Sequence, residues 1–307
     1  PTARSYSMLY RLSVVNFISR SASAVDGDLL QDFPQDQLYL DLVSSLVATA
    51  IRVADEGKIP TLAIAGSQGT GKSTLAQALQ VLLQAQHARR VVIISLDDFY
   101  LTRADRQQLG EQVHPLLKTR GVPGTHDLGA IQKVLADLQG GGSTEIPVFD
   151  KARDDRAETA RSVTRADIVI CEGWCWGARP EAEESLRAPI NSLETERDAD
   201  GRWRRYINHQ LRDYQPLFSQ DFTVFLQVPS MVQVFAWRWQ QEQDLAGRAG
   251  SPGAMNQDQI REFIQHYERL TRWMLLEMPA RSDLTATLNE EHHIVKIETG
   301  TDSGSVQ

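Results

Sequence analysis

The chain has 307 residues and carries 40 Asp and Glu against 32 Lys and Arg, a formal net charge of −8. Charged residues at 23% and hydrophobic residues at 41% are the proportions of a chain that folds around a core, which excludes a disordered polymer. The negative charge repels phosphate backbones and anionic lipid, so neither nucleic acid nor a membrane is an expected partner. Uninterrupted apolar runs of about four residues fall far short of the roughly 18 that a spanning helix needs.

The first 25 residues hold Arg4, Arg11 and Arg20, no acid before Asp26, and a mostly apolar stretch from Leu12 to Ile18. That composition loosely suits a targeting segment. Asn16 breaks the apolar run and Arg20 interrupts the approach to Ser21–Ala24, so the segment reads as an N-terminal extension, with Met8 a candidate start. From Gln35 to Glu56, Leu38, Leu42, Leu46, Ala50 and Val53 recur at helical spacing, and Gly57 closes the run. Residues 1–57 are therefore expected to be an extension ending in one helix.

Short apolar strands follow at Thr61–Gly66, Arg90–Leu96, Ala166–Cys171, Phe222–Val228 and His293–Ile297. Helical patterns lie between them, from Lys72 to about His87, around 230–245 and around 257–277. The glycine-rich stretch 246–255 reads as a flexible connection, and 299–307 as a disordered tail. Alternation of this kind predicts an α/β fold: a doubly wound, mainly parallel five-stranded sheet with helices on both faces, in one domain from about 58 to 298. The two cysteines, Cys171 and Cys175, form no CxxC pair and no disulfide framework, which points to a reducing, cytoplasmic setting.

Gly66-Ser67-Gln68-Gly69-Thr70-Gly71-Lys72-Ser73 matches the Walker A pattern, follows an apolar strand and opens an apolar-periodic helix at Thr74 and Leu75. Glycines there let successive N–H groups turn toward phosphate oxygens, and the helix adds its positive end. Residues 66–74 are the expected ATP site, with Lys72 on the β- and γ-phosphates and the Ser73 hydroxyl on Mg²⁺. Ligands of such sheets sit at the carboxyl ends of the strands. Two strands end there in acids, Asp97-Asp98 and Glu172. Phosphoryl transfer needs a positioned Mg²⁺ and an oriented, deprotonated acceptor hydroxyl, and these acids suit both tasks. Only one of Asp97 and Asp98 can face the site. Cys171 reads as a buried strand residue. His292-His293 stands alone at a strand start and reads as no metal site.

Ser95-Leu-Asp-Asp-Phe-Tyr-Leu101, the Walker loop and Glu172-Gly173 together resemble P-loop kinases of the uridine kinase, phosphoribulokinase and pantothenate kinase group. The segments Asp97–Thr102, Arg120-Gly-Val-Pro-Gly-Thr-His-Asp127, Pro147–Lys151 with Asp154–Arg156, Glu172–Trp174 and Trp237–Glu242 resemble the D-glycerate 3-kinase family of plants and bacteria. The resemblance implies Asp97 as the base and Glu172 as the Mg²⁺-associated carboxylate. It implies Tyr100, Arg120, His126, Asp127 and Lys151 as acceptor-pocket residues, with Asp98 a further candidate there. Arg238 and Arg248 would be arginines of a helical lid at about 236–256. An anionic hydroxy acid calls for cations, and Arg120, His126, Lys151, Arg153 and Arg156 are expected to form a local positive funnel. Trp237 and Trp239 read as helix packing.

The function so implied is ATP-dependent phosphorylation of a small hydroxy acid, D-glycerate at its 3-hydroxyl, a phosphotransfer to an alcohol. Two alternatives stand beside it. One is a P-loop kinase for a nucleoside or a pantothenate-like compound; the other is a regulatory ATPase without an acceptor.

Overall fold

A computed structural model describes residues 27–246 and 255–300. Expectations for residues 1–26, Arg248, most of the 246–255 connection and 301–307 lie outside the described residues.

Helix α1 (Gln37–Asp55) starts where the Asp36 carboxylate accepts the Tyr39 N–H at 3.0 Å, satisfying one orphan donor of the first turn. By length and composition it is the one helix among the described residues that could cross a membrane. Here Leu42, Val43, Leu46 and Ala50 face the protein core instead. The helix and the strand Thr61–Gly66 share one core cluster.

Strand β1 (Thr61–Gly66) leads through the glycine-rich turn to α2 (Lys72–His87), then β2 (Val91–Ser95). A 3₁₀ turn at Leu96–Phe99 precedes α3 (Arg103–Gln112) and α4 (Leu128–Gln139). Four short strands follow as two antiparallel ribbons. β3 (Thr144–Ile146) pairs with β6 (Arg161–Val163), and β4 (Phe149–Asp150) pairs with β5 (Asp155–Arg156) inside it in sequence. Then come β7 (Ile168–Gly173), α5 (Ser192–Arg197), α6 (Arg202–Tyr214), β8 (Phe222–Gln227), α7 (Met231–Ala246), α8 (Gln257–Arg281), β9 (Leu284–Leu288) and β10 (Ile294–Thr299).

The main sheet has the order β10-β9-β8-β1-β7-β2, parallel except for β10. Among the described residues it has six strands, not five. The extra one, Leu284-Thr-Ala-Thr-Leu288, alternates apolar with hydroxylated residues and so forms no apolar run, yet four of its five residues are buried. Thr299, expected in the tail, ends β10. Helix α8 begins on an Asn256–Gln259 capping box and runs one turn past its expected end, to Arg281.

Every residue of β1 is buried, because both its neighbours are sheet strands and both faces are covered by helices. Leu62 and Ile64 join Leu46, Leu75 and Leu79 on one face, while Ala63 and Ala65 join Phe99, Leu135 and Met274 on the other. This is the period-two alternation of a strand with two buried faces. Each large aliphatic side chain buried here contributes about 1.5–3 kcal/mol, which makes β1 a rigid mount for the turn that follows it.

Candidate active site

The glycine-rich turn needs its glycines. Gly69 has φ +83°, and a Cβ there would stand 2.8 Å from the Trp237 Cβ. A Cβ on Gly66 would meet the Leu226 carbonyl oxygen at 2.7 Å. Lys72 opens α2 and its Nζ donates to the Ser67 carbonyl at 2.9 Å. Burial lowers the Lys72 pKa, against the pull of Glu172 and Asp97. Among the described residues, helix α2 has no side-chain cap at its N-terminus, and the buried Ser67 Oγ and Gln68 Oε1 have no partner. A bare helix start beside orphaned polar atoms fits nucleotide phosphates.

Glu172 lies in β7, opposite Ser95 in the β2–β7 register. Its Oε1 accepts from Ser73 Oγ at 3.0 Å and from Ser95 Oγ at 2.8 Å, with the residue only 6% exposed. Among the described residues no three His, Cys, Asp or Glu gather to cage a metal. Two hydroxyls and one carboxylate form an all-oxygen set of the kind that could hold Mg²⁺, which keeps waters and takes its other ligands from phosphates.

The two neighbouring acids face different ways. Asp97 Oδ1 accepts from the Tyr100 hydroxyl and Oδ2 from Lys151 Nζ, each at 2.6 Å. Burial works to raise the Asp97 pKa, but Lys151, Tyr100 and Lys72 outweigh it and the net shift is downward. Asp98 turns to the Phe149 backbone and toward Arg161, and burial raises its pKa. Asp97 is the acid that joins Lys72.

The chain at 99–101 pairs with 125–127 through Leu101 N–H to Thr125 and Asp127 N–H to Phe99. This sets His126 beside Tyr100, with ring centroids 5.0 Å apart. His126 is 5% exposed, its Nδ1 lies 2.7 Å from the Tyr214 hydroxyl, and its Nε2 has no partner among the described residues. Burial depresses its pKa to about 3, so it is neutral and supplies no positive charge. The expected funnel fails further. Arg120 is paired with Asp154, Lys151 with Asp97 and Arg156 with Asp127, while Arg153 points to solvent on an exposed turn. Asp127 also caps α4 by accepting the Ala130 N–H at 3.0 Å. The basic loops read as unpaired charge because their acids lie up to 54 residues away in sequence.

Arg238 is folded onto its own helix, where it pairs with the buried Glu242 and lies over the Phe263 ring at 5.6 Å. Arg248 lies outside the described residues. Trp237 does pack, as expected, but against Gly69 and His292, with the Trp237 and His292 rings stacked at 3.9 Å.

Residues 61–178 match the phosphoribulokinase/uridine kinase family. The chain is 35% identical over 231 residues to an uncharacterized kinase, mug58, of Schizosaccharomyces pombe, covering 69% of this chain and 79% of that one. The chain belongs to the phosphoribulokinase/uridine kinase family of P-loop kinases. A pantothenate kinase of Bacillus subtilis is 32% identical over 187 residues, 55% of this chain and 57% of that one. Among solved structures, a D-glycerate 3-kinase from Cryptococcus neoformans superposes with a TM-score of 0.71 at 26% identity, covering 86% of this chain and 100% of that chain. The protein is thus an ATP-dependent P-loop kinase that transfers phosphate to an alcohol.

Three residues of this kinase's site escape a reading of the sequence. Ser95 is a strand-end serine whose meaning depends on the β2–β7 register. Arg106 sits in the polar helix Arg103–Gln112 and reads as solvated, yet it is 1% exposed and donates to the carbonyls of Leu101, Lys118 and Asp154. Tyr214 ends a helix 88 residues from His126. Local pattern marks only Ser95, through the strand it closes.

Proposed function

We propose that this kinase phosphorylates a small hydroxy acid, D-glycerate at its 3-hydroxyl, with ATP and Mg²⁺. The observation that carries the reading is Asp97: a carboxylate kept ionised by Lys151 and Tyr100, on the strand end beside the phosphate loop. A primary hydroxyl is a poor nucleophile at neutral pH and needs a base within hydrogen-bond reach. Asp97 takes that role, Lys72 neutralises phosphate charge, and Ser73 with Glu172 holds Mg²⁺, which supplies charge neutralisation when bound. Residues 66–74 cradle the nucleotide. Tyr100, Arg120 and Lys151 frame the acceptor, and an acceptor carboxylate would exchange with Asp154 or Asp97 for its cation. The D-glycerate 3-kinase that superposes along its full length supports this acceptor.

A second reading, a pantothenate-like acceptor, is favoured by the sequence relative of that name and by a pocket whose cations are already paired. The deciding experiment measures ADP release from ATP-Mg²⁺ with D-glycerate, pantothenate and uridine in parallel. D-glycerate should stimulate turnover most. Stimulation by pantothenate alone would transfer the assignment to the second reading, and stimulation by none would remove both.

A further inference from the structure

His126 and Tyr214 form a buried pair whose hydrogen-bond arithmetic has one solution. Tyr214 is fully buried. Its oxygen accepts the Gly124 N–H at 3.0 Å. That bond uses a lone pair and leaves the buried hydroxyl proton in need of an acceptor. The one on hand is His126 Nδ1, at 2.7 Å. If Nδ1 accepts, the neutral ring carries its proton on Nε2, and Nε2–H is the one orphan left. The other tautomer would orphan the Tyr214 proton as well as the Nε2 lone pair. Buried orphans are costly, so the first tautomer holds.

The ring that carries the orphan stands on the Asp97 side of the site. The His126 ring stands beside Tyr100, whose hydroxyl binds Asp97, and the Asp97 charge acts on it. We propose that Tyr214 is a positioning residue that locks His126 as its Nε2–H tautomer, and that this uncharged N–H donates to an oxygen of the acceptor beside Asp97. The donor's task rests on the small oxygenated acceptor argued above; the lock does not. A buried donor without a ligand partner also selects against analogues that lack the oxygen, since they leave it unpaired.

The test combines spectroscopy and kinetics. In ¹⁵N-labelled free enzyme, the His126 ring, assigned by its disappearance in His126→Gln, should show a bare Nδ1 and a protonated Nε2. Tyr214→Phe should lose that preference and raise the acceptor KM about tenfold, with the ATP KM unmoved. His126→Gln, which keeps an N–H near the place of Nε2, should retain most of the acceptor affinity. His126→Asn, which puts its amide near the place of Nδ1, should lose about tenfold or more. A protonated Nδ1 in the free enzyme overturns the lock. An unchanged acceptor KM in folded Tyr214→Phe, or equal losses in Gln and Asn, overturns the donor's task; the Gln–Asn pair decides alone if the Phe variant does not fold. Wild type that phosphorylates neither D-glycerate nor pantothenate overturns the acceptor reading and the donor's task with it, while the spectrum still judges the lock.

Discussion

Replacing Arg106 by Met removes the tie that holds the acceptor side of the site together. The guanidinium is 1% exposed and donates from Nε to the Leu101 carbonyl at 3.2 Å, from Nη1 to Lys118 at 2.8 Å and from Nη2 to Asp154 at 2.6 Å, with the Asp154 carboxylate at 3.1 Å. Methionine fills much of the same space and donates nothing, so three carbonyls and one carboxylate lose a partner. Charge-assisted bonds contribute about 1.5–3 kcal/mol each. Their plain sum overshoots, because the guanidinium regains its hydration on unfolding. The Asp154 carboxylate is 39% exposed and keeps Arg120, so the cost lies in the three carbonyls left without a donor, together about 3–5 kcal/mol, which lowers the midpoint by roughly 6–20 °C at about 2–4 °C per kcal/mol. The three tied segments frame the pocket, so the acceptor KM should rise about tenfold or more. The ATP KM should stay within roughly twofold, since the phosphate loop hangs on Thr61–Gly66 and Lys72–His87. Urea unfolding and initial rates of ADP release measure both. A stability loss under about 1 kcal/mol, or an ATP KM rising in step with the acceptor's, would refute the argument.

Asp97→Asn keeps the shape and removes the basicity, and should lower kcat by about 10²–10⁴ with both KM values near normal. Asp98→Asn, whose carboxyl faces Phe149 and Arg161, should do far less; reversed results would exchange their roles. Gly69→Ala puts a Cβ 2.8 Å from Trp237 at φ +83°, so calorimetry should show weakened ATP binding with the acceptor KM spared. Asp167, held by Arg90 with its pKa lowered from 3.8 to about 2, contributes stability that is present above pH 3.8 and lost as pH falls through about 2. With solvent screening of the exposed Arg90, Asp167→Asn should cost about 1–2 kcal/mol at pH 7. The difference from wild type should close between pH 4 and 2 in an acid titration of stability; a gap that persists at pH 2 would show that the carboxylate charge is not its source.

The phosphate loop and the parallel sheet could be read in the sequence because both are written locally: an eight-residue glycine pattern and runs such as Ile168–Cys171 that must be buried on both faces. The alternating strand Leu284–Leu288 was not legible, since its burial comes from what lands on it. The same holds for charge. Arg120 looks like a free cation until Asp154 is placed beside it, and His126 looks like a cation until burial makes it neutral. Sequence spacing marks which groups stand near strand ends. It does not say which are already neutralised by a partner from another loop, nor that Asp127 is occupied as a helix cap.

The position of Thr61–Gly66 has a consequence for how the protein is made. Its two flanking strands begin at Ile168 and Phe222, more than 100 and 150 residues further along the chain. The ribosome therefore releases the nucleotide loop long before the strand that carries it has a neighbour on either side. During that interval both edges of an apolar segment present bare amide and carbonyl groups, the arrangement most open to mispairing with another nascent chain. ATP cannot rescue the segment at that stage, because the loop has no rigid mount until Phe222–Gln227 has emerged. Synthesis rate and chaperone supply, rather than nucleotide, should govern the yield of active enzyme.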